Sequence, residues 1–122
     1  MSSRARLIEL IKEKSLKFGD FTLTSGKKAT YYLDGKQLTL DSEGSLLVAN
    51  AILEIAETEK IDCGGGMTLG ADPMGGSVLT AAGFKGVSLQ GFIVRKEAKQ
   101  HGTENGLRVF LPKMHESLFS RM

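Results

Sequence analysis

Four side chains able to carry positive charge fall within seven residues: Arg95, Lys96, Lys99 and His101. They follow Val87 to Val94, an apolar run that reads as a buried strand interrupted by Gln90-Gly91. Ligand sites in α/β sheets lie at strand ends where loops converge, so cations gathered there suit a polyanion. Such a cluster can neutralise charge growing on a departing group. The same residues also fit a solvated polar loop that binds nothing. A second stretch points to related chemistry. Gly64-Gly65-Gly66-Met67-Thr68-Leu69-Gly70 reads as a glycine-rich loop between a strand and a helix. Glycines let backbone N–H groups approach a ligand closely, and the helix N-terminus that follows adds partial positive charge. Together they make an anion site, with phosphate the usual guest. The pattern is neither the Walker motif nor the dinucleotide fingerprint, and a tight turn without a ligand fits it equally well.

The elements around these two stretches form a βαβ unit. Ile61 to Gly64 reads as a short strand, and Asp72-Pro73 opens a helix with Asp72 at the cap and Pro73 at the first helical position. Met74, Val78, Leu79 and Ala82 give that helix an apolar face, and Gly83 ends it. Strand, glycine loop, helix and strand imply a parallel sheet. Upstream, Ser2 or Ser3 caps a helix running to about Lys17, with Leu7, Ile8 and Ile11 on one face. Phe21 to Thr24 and Ala29 to Leu33 read as short strands about a turn at Ser25-Gly26-Lys27, and Gln37 to Leu40 as a third. Asp41 caps the next helix, whose apolar residues from Leu46 to Ala56 occupy most of its circumference and imply packing on more than one side.

The chain has 122 residues, enough for one domain with a modest core. Its net charge of +2 is too mild to indicate nucleic acid. No apolar run is long enough to span a bilayer, and the first residues do not read as a signal peptide. The single cysteine, Cys63, excludes an internal disulfide and fits a cytoplasmic setting. On its strand Cys63 reads as a small core residue, Asp34 as a turn residue and Asp41 as a cap. Met67 and Met74 fit a pocket lining or core filling, and His115 a solvated position. Tyr31 and Tyr32 point to opposite faces of their strand, so at most one faces a ligand. No metal-ligand motif is present.

Three segments, FGDFTLTSGKKATYYLDGK (18–36), GGGMTLGADPM (64–74) and GFIVRKEAKQHGT (91–103), resemble in order and spacing the signatures of orotate phosphoribosyltransferases. The run from Arg95 to Gly102 resembles that family's flexible catalytic loop. The resemblance implies a partial type I phosphoribosyltransferase fold, an α/β domain with a parallel sheet flanked by helices. Residues 1–106 would form it, with a small N-terminal hood at about 18–40. It implies transfer of phosphoribosyl from 5-phosphoribosyl 1-diphosphate (PRPP) to orotate, giving orotidine 5′-monophosphate and pyrophosphate. Mg²⁺ is expected to arrive with PRPP, and a homodimer or higher homo-oligomer is implied because the family's loop reaches a neighbouring subunit. By position, Arg95, Lys96, Lys99 and His101 would contact the diphosphate, with Lys99 and His101 catalytic. Thr68, Leu69, Gly70, Ala71 and Asp72 would form the loop beside it. Tyr32 and Leu33 would touch the orotate ring, and Lys27 or Lys28 would replace a basic residue that some members carry where this chain has Thr24. Residues 107–122 depart from the family. After His101 no two acidic residues are adjacent, and Leu107 to Met122 holds no glycine with which to wrap a phosphate. That tail reads as a truncation or a shifted frame, and a non-catalytic remnant that oligomerises and keeps anion binding is the alternative.

Overall fold

The computed structural model describes residues 2–96 and 107–108. Ser2 caps α1 (Ser3–Leu10), its hydroxyl accepting from the Ala5 N–H at 3.1 Å. A π-helical turn (Ile11–Ser15) carries the chain into β1 (Leu16–Thr22). The first helix therefore stops short of Lys17, and the strand starts five residues before the expected Phe21. It pairs antiparallel with β2 (Lys28–Leu33), with an irregular register between Phe18 and Phe21. That irregularity takes up Gly19-Asp20, which the sequence pattern reads as a chain break. The turn falls where expected: Gly26 has φ +85°, and the Leu23 N–H donates to the Lys27 carbonyl at 2.8 Å.

The expected third strand at Gln37 to Leu40 is instead a short helix, α2 (Lys36–Thr39). The Leu38 and Thr39 N–H groups both donate to the Gly35 carbonyl, and Leu38 turns into the core. Asp41 then caps α3 (Ser42–Thr58) as expected, accepting from the Gly44 N–H at 2.9 Å. Helix α3 packs against α1, α2 and α4 (Asp72–Phe84), in keeping with its broad apolar surface, although Leu46 and Ile55 remain exposed. Among the described residues, Leu10, Leu38, Ala49, Leu53, Ala56, Cys63, Val78 and Ala82 are the buried apolar ones. The α1 residue that reaches the core is thus Leu10, while Ile8 is exposed. Two ion pairs tie the first helical segment to the start of α3. Arg6 grips both carboxylate oxygens of Glu43, at 2.7 and 2.8 Å, and Lys14 meets Asp41 at 2.5 Å.

The second sheet holds the βαβ unit. β3 (Cys63–Met67) runs parallel to β4 (Gln90–Val94), with α4 between them in sequence, and β5 (Leu107–Arg108) adds antiparallel to β4. Gly64, Gly65 and Gly66 are therefore strand residues and not the loop expected from composition. The reason is tertiary. A methyl on Gly65 would collide with the Phe92 carbonyl, one on Gly66 would sit 2.7 Å from the Ala71 Cβ, and one on Gly91 2.8 Å from Leu79 Cδ1. Side-chain-free backbone lets the strands and α4 close together. β4 is also shorter than the expected Val87 to Val94 run, since Val87 to Leu89 approach as irregular chain after Gly86 at φ +71°.

Candidate functional site

Parallel pairing aligns Met67 with Val94, so both strands release their chains at one edge of the sheet. The Thr68 N–H donates to the Val94 carbonyl at 2.8 Å and carries the ladder one residue further. From there residues 68–71 turn into α4. The Ala71 N–H bonds to the Met67 carbonyl at 3.0 Å, the Asp72 N–H to the Leu69 carbonyl at 3.1 Å, and the Gly75 N–H to the Ala71 carbonyl at 2.9 Å. The Thr68–Leu69 peptide is cis. The Leu69 and Gly70 N–H groups find no acceptor among the described residues, and both residues are exposed. Two open donors beside a helix N-terminus form an anion-accepting surface.

Beside this loop, Arg95 and Lys96 leave β4, Arg95 half-buried and Lys96 exposed. The described chain thus brings Thr68, Leu69, Gly70, Ala71, Asp72, Arg95 and Lys96 to one edge. Lys99 and His101 lie outside the described residues. Tyr32 and Leu33 belong to the separate β1–β2 sheet, and Lys27 to the turn that joins its strands. There Tyr32 stacks against Phe21 with ring centroids 5.8 Å apart, and both Tyr31 and Tyr32 are exposed.

One detail of the loop departs from the sequence reading. Ala71 occupies the cap position of α4, and Asp72 is the first helical residue. The Asp72 side chain does not cap. It accepts the Thr68 hydroxyl at 2.5 Å, closing the loop across four residues. The Thr-x-x-x-Asp spacing was the available signal for this contact, and nothing in local composition marks it. Cys63 is a core residue as expected, and burial, with a smaller push from Asp62, raises its thiol above the usual range. Asp34 and Asp41 also keep their expected structural roles. Asp34 accepts from the Gln37 amide at 3.3 Å. The Lys14 ammonium and the Gly44 N–H hold the Asp41 carboxyl below its ordinary value.

No family model matches the chain. Orotate phosphoribosyltransferase from Rhodopirellula baltica is 45% identical over a 104-residue alignment that covers 80% of this chain and 54% of that protein. Over that stretch this chain is similar to the orotate phosphoribosyltransferases. The crystal structure of the Mycobacterium tuberculosis H37Rv orotate phosphoribosyltransferase in complex with Fe(III) dicitrate superposes with a TM-score of 0.71 at 36% identity, covering 88% of this chain and 59% of that one. The same enzyme in complex with 5-phospho-alpha-D-ribosyl 1-diphosphate gives 0.63 at 34% identity, covering 78% and 54%. The chain spans little more than half the length of these relatives. Its βαβ unit and hairpin agree with the α/β phosphoribosyltransferase architecture that the three motif segments implied. Among the described residues no helix is long and apolar enough to cross a membrane.

Proposed function

We propose that the edge formed by Thr68 to Asp72, Arg95 and Lys96 is a diphosphate site, and that the chain acts as an orotate phosphoribosyltransferase of pyrimidine biosynthesis. The observation that carries this reading is the convergence of open backbone donors and cations at the carboxyl ends of two paired parallel strands. In the reaction, the bond from the ribose anomeric carbon to diphosphate breaks and a bond to an orotate ring nitrogen forms. Pyrophosphate leaves with the bonding electrons, so negative charge grows where Leu69 N–H, Gly70 N–H, Arg95 and Lys96 are gathered. In this reading Lys99 and His101 would join that set, and Tyr32, Leu33 and Lys27 would meet the orotate ring. Among the described residues no cluster of three histidine, cysteine or acidic side chains forms a metal cage. Mg²⁺ would enter as part of the PRPP substrate, chelated by its diphosphate. The reading includes a cytoplasmic homodimer. Phe84, 95% exposed, and Leu46 at the rim of an α3–α4 groove of about 820 Å³ are apolar surface that a second copy would cover.

The test is direct. Purified chain, PRPP, orotate and Mg²⁺ are mixed, and orotate loss and pyrophosphate release are followed together. Equal, orotate-dependent release is expected; pyrophosphate binding without any turnover would overturn the transferase reading. That outcome would leave the second reading, an anion-binding remnant. One stretch of sequence bears on it: no two acidic residues are adjacent between His101 and Met122, and Leu107 to Met122 holds no glycine.

A further inference from the structure

The loop that presents Leu69 N–H and Gly70 N–H has few internal restraints. Its own backbone bonds are Ala71 N–H to Met67 and Asp72 N–H to Leu69. Leu69 is 78% exposed and packs on little, so apolar contact does not fix the loop. What crosses it is one side-chain bond, from the Thr68 hydroxyl to the Asp72 carboxylate, with both residues half-buried. Thr68 is anchored on the β4 ladder and Asp72 on the first turn of α4. The bond therefore joins the two rigid elements from which the open donors hang. A hydroxyl bonded to a charged acceptor is stronger than a neutral pair, so it suits a clasp. The electrostatic consequence of Asp72 alone runs the other way, because a carboxylate beside an anion site repels the anion. A charge placed where it opposes binding calls for a compensating role.

We propose that Asp72 is a positioning residue. Through Thr68 it holds the strand-to-helix loop in the shape that aims the Leu69 and Gly70 N–H groups at a diphosphate. This rests on the diphosphate reading of the loop. The two effects of Asp72 have opposite signs, which makes the proposal decidable. If Asp72 acts only as a charge, Asp72→Ala and Asp72→Asn both tighten anion binding. If it acts as a clasp, Asp72→Ala weakens binding. Asp72→Asn, whose amide oxygen still accepts the Thr68 hydroxyl, recovers what the alanine variant loses.

Isothermal titration of the chain with inorganic pyrophosphate reads the effect. Asp72→Ala and Thr68→Val are each expected to weaken binding about tenfold, the scale of one hydrogen bond to a charged group. The double variant is expected to be no weaker than either single one, and Thr68→Ser restores affinity at position 68 as Asp72→Asn does at 72. Unfolding midpoints measured alongside separate this from general destabilisation, which the conservative variants would not rescue. Tighter binding by Asp72→Ala, or additive losses in the double variant, overturns the proposal. Should the unaltered chain bind no pyrophosphate, the diphosphate reading falls. The clasp is still decided by amide exchange at Ala71 and Asp72. Faster exchange in Asp72→Ala and Thr68→Val, reversed in Asp72→Asn, supports it, and unchanged exchange overturns it.

Discussion

Replacing Gly65 by alanine tests the close approach of β3 and β4 on which the whole site depends. A methyl group at Gly65 would run into the Phe92 carbonyl oxygen, 2.8 Å from the carbonyl carbon and 2.7 Å from Cδ2 of the ring. Carbon atoms in contact prefer about 3.5–4.0 Å, so the strands would have to separate by roughly 1 Å. The ring can swing aside, but the carbonyl is held in the ladder. A separation of that size carries N–H···O distances from about 2.9 Å to about 3.9 Å, beyond useful hydrogen bonding. Overpacking of this kind costs about 1–3 kcal/mol, and each weakened ladder bond adds about 1 kcal/mol. Together these give about 2–5 kcal/mol against a total stability of about 5–15 kcal/mol for an ordinary domain. Gly64→Ala supplies the control, since nothing lies within 4 Å of its added methyl. That change is expected to fall within about 0.5 kcal/mol of the original chain, the usual range for a surface substitution. Urea unfolding followed by circular dichroism, fitted with a common slope, measures both. Equal midpoints for the two variants would refute the argument that Phe92 fills the space beside Gly65.

Other outcomes follow from the same coordinates. Gly66→Ala places its methyl 2.7 Å from the Ala71 Cβ, so the loop must shift; pyrophosphate titration is expected to show a larger loss than the unfolding midpoint does. Arg95→Gln is expected to weaken pyrophosphate about tenfold, and less so as salt is raised, because a charge-assisted bond and its screening are both removed. Leu53→Ala, at a fully buried position, is expected to cost about 2–5 kcal/mol in denaturant unfolding, whereas Ile55→Ala, 60% exposed, changes it little. Arg6 holds the Glu43 carboxyl, and Lys14 with the Gly44 N–H the Asp41 carboxyl, below their ordinary values. Lowered folded values contribute stability above the unfolded carboxylate range that is lost as pH falls through them. Melting temperature is thus expected to drop on acidification below about pH 4, and less steeply in Glu43→Gln. The Cys63 thiol, pushed up by burial, is expected to alkylate more slowly at pH 8 than a small free thiol, read by mass spectrometry.

The βαβ unit was legible because its punctuation is local. Pro73 can stand only in the first turn of a helix, and the apolar residues after it keep helical spacing. Asp41 was legible as a cap for the same reason. The misreadings share a different cause. Three consecutive glycines look like a loop because glycine has no side chain with which to announce a strand. In the fold they form β3, where Phe92 occupies the space beside Gly65 and Ala71 the space beside Gly66. Leu38 has no periodic partner in its four-residue segment, so helix α2 and a strand were indistinguishable there. Leu16 and Lys17 continue a helical pattern in sequence but pair with Leu33 and Tyr32, a cross-strand fact that no window on the first twenty residues contains. At the site, residue types were readable and their juxtaposition was not. The Thr68–Asp72 bond depends on how the turn closes.

The convergence of the two motif stretches is itself a consequence of strand direction. Thr68 to Asp72 follows β3, and Arg95 follows β4, more than twenty residues later in the chain. Had the two strands paired antiparallel, their carboxyl ends would lie at opposite edges of the sheet, and the open N–H groups would be a strand length away from the cations. The crossover through α4 forces parallel pairing, and the register Met67 to Val94 brings both exits level. Glycine at 65 and 91 then permits the close approach that keeps them adjacent, one across the ladder and the other beneath Leu79 of the helix. The glycines, misread as the ligand-binding loop, thus serve the site from one step behind it. They set the spacing between a donor loop and a cationic strand end, while the proposed diphosphate contacts fall to the residues just beyond them.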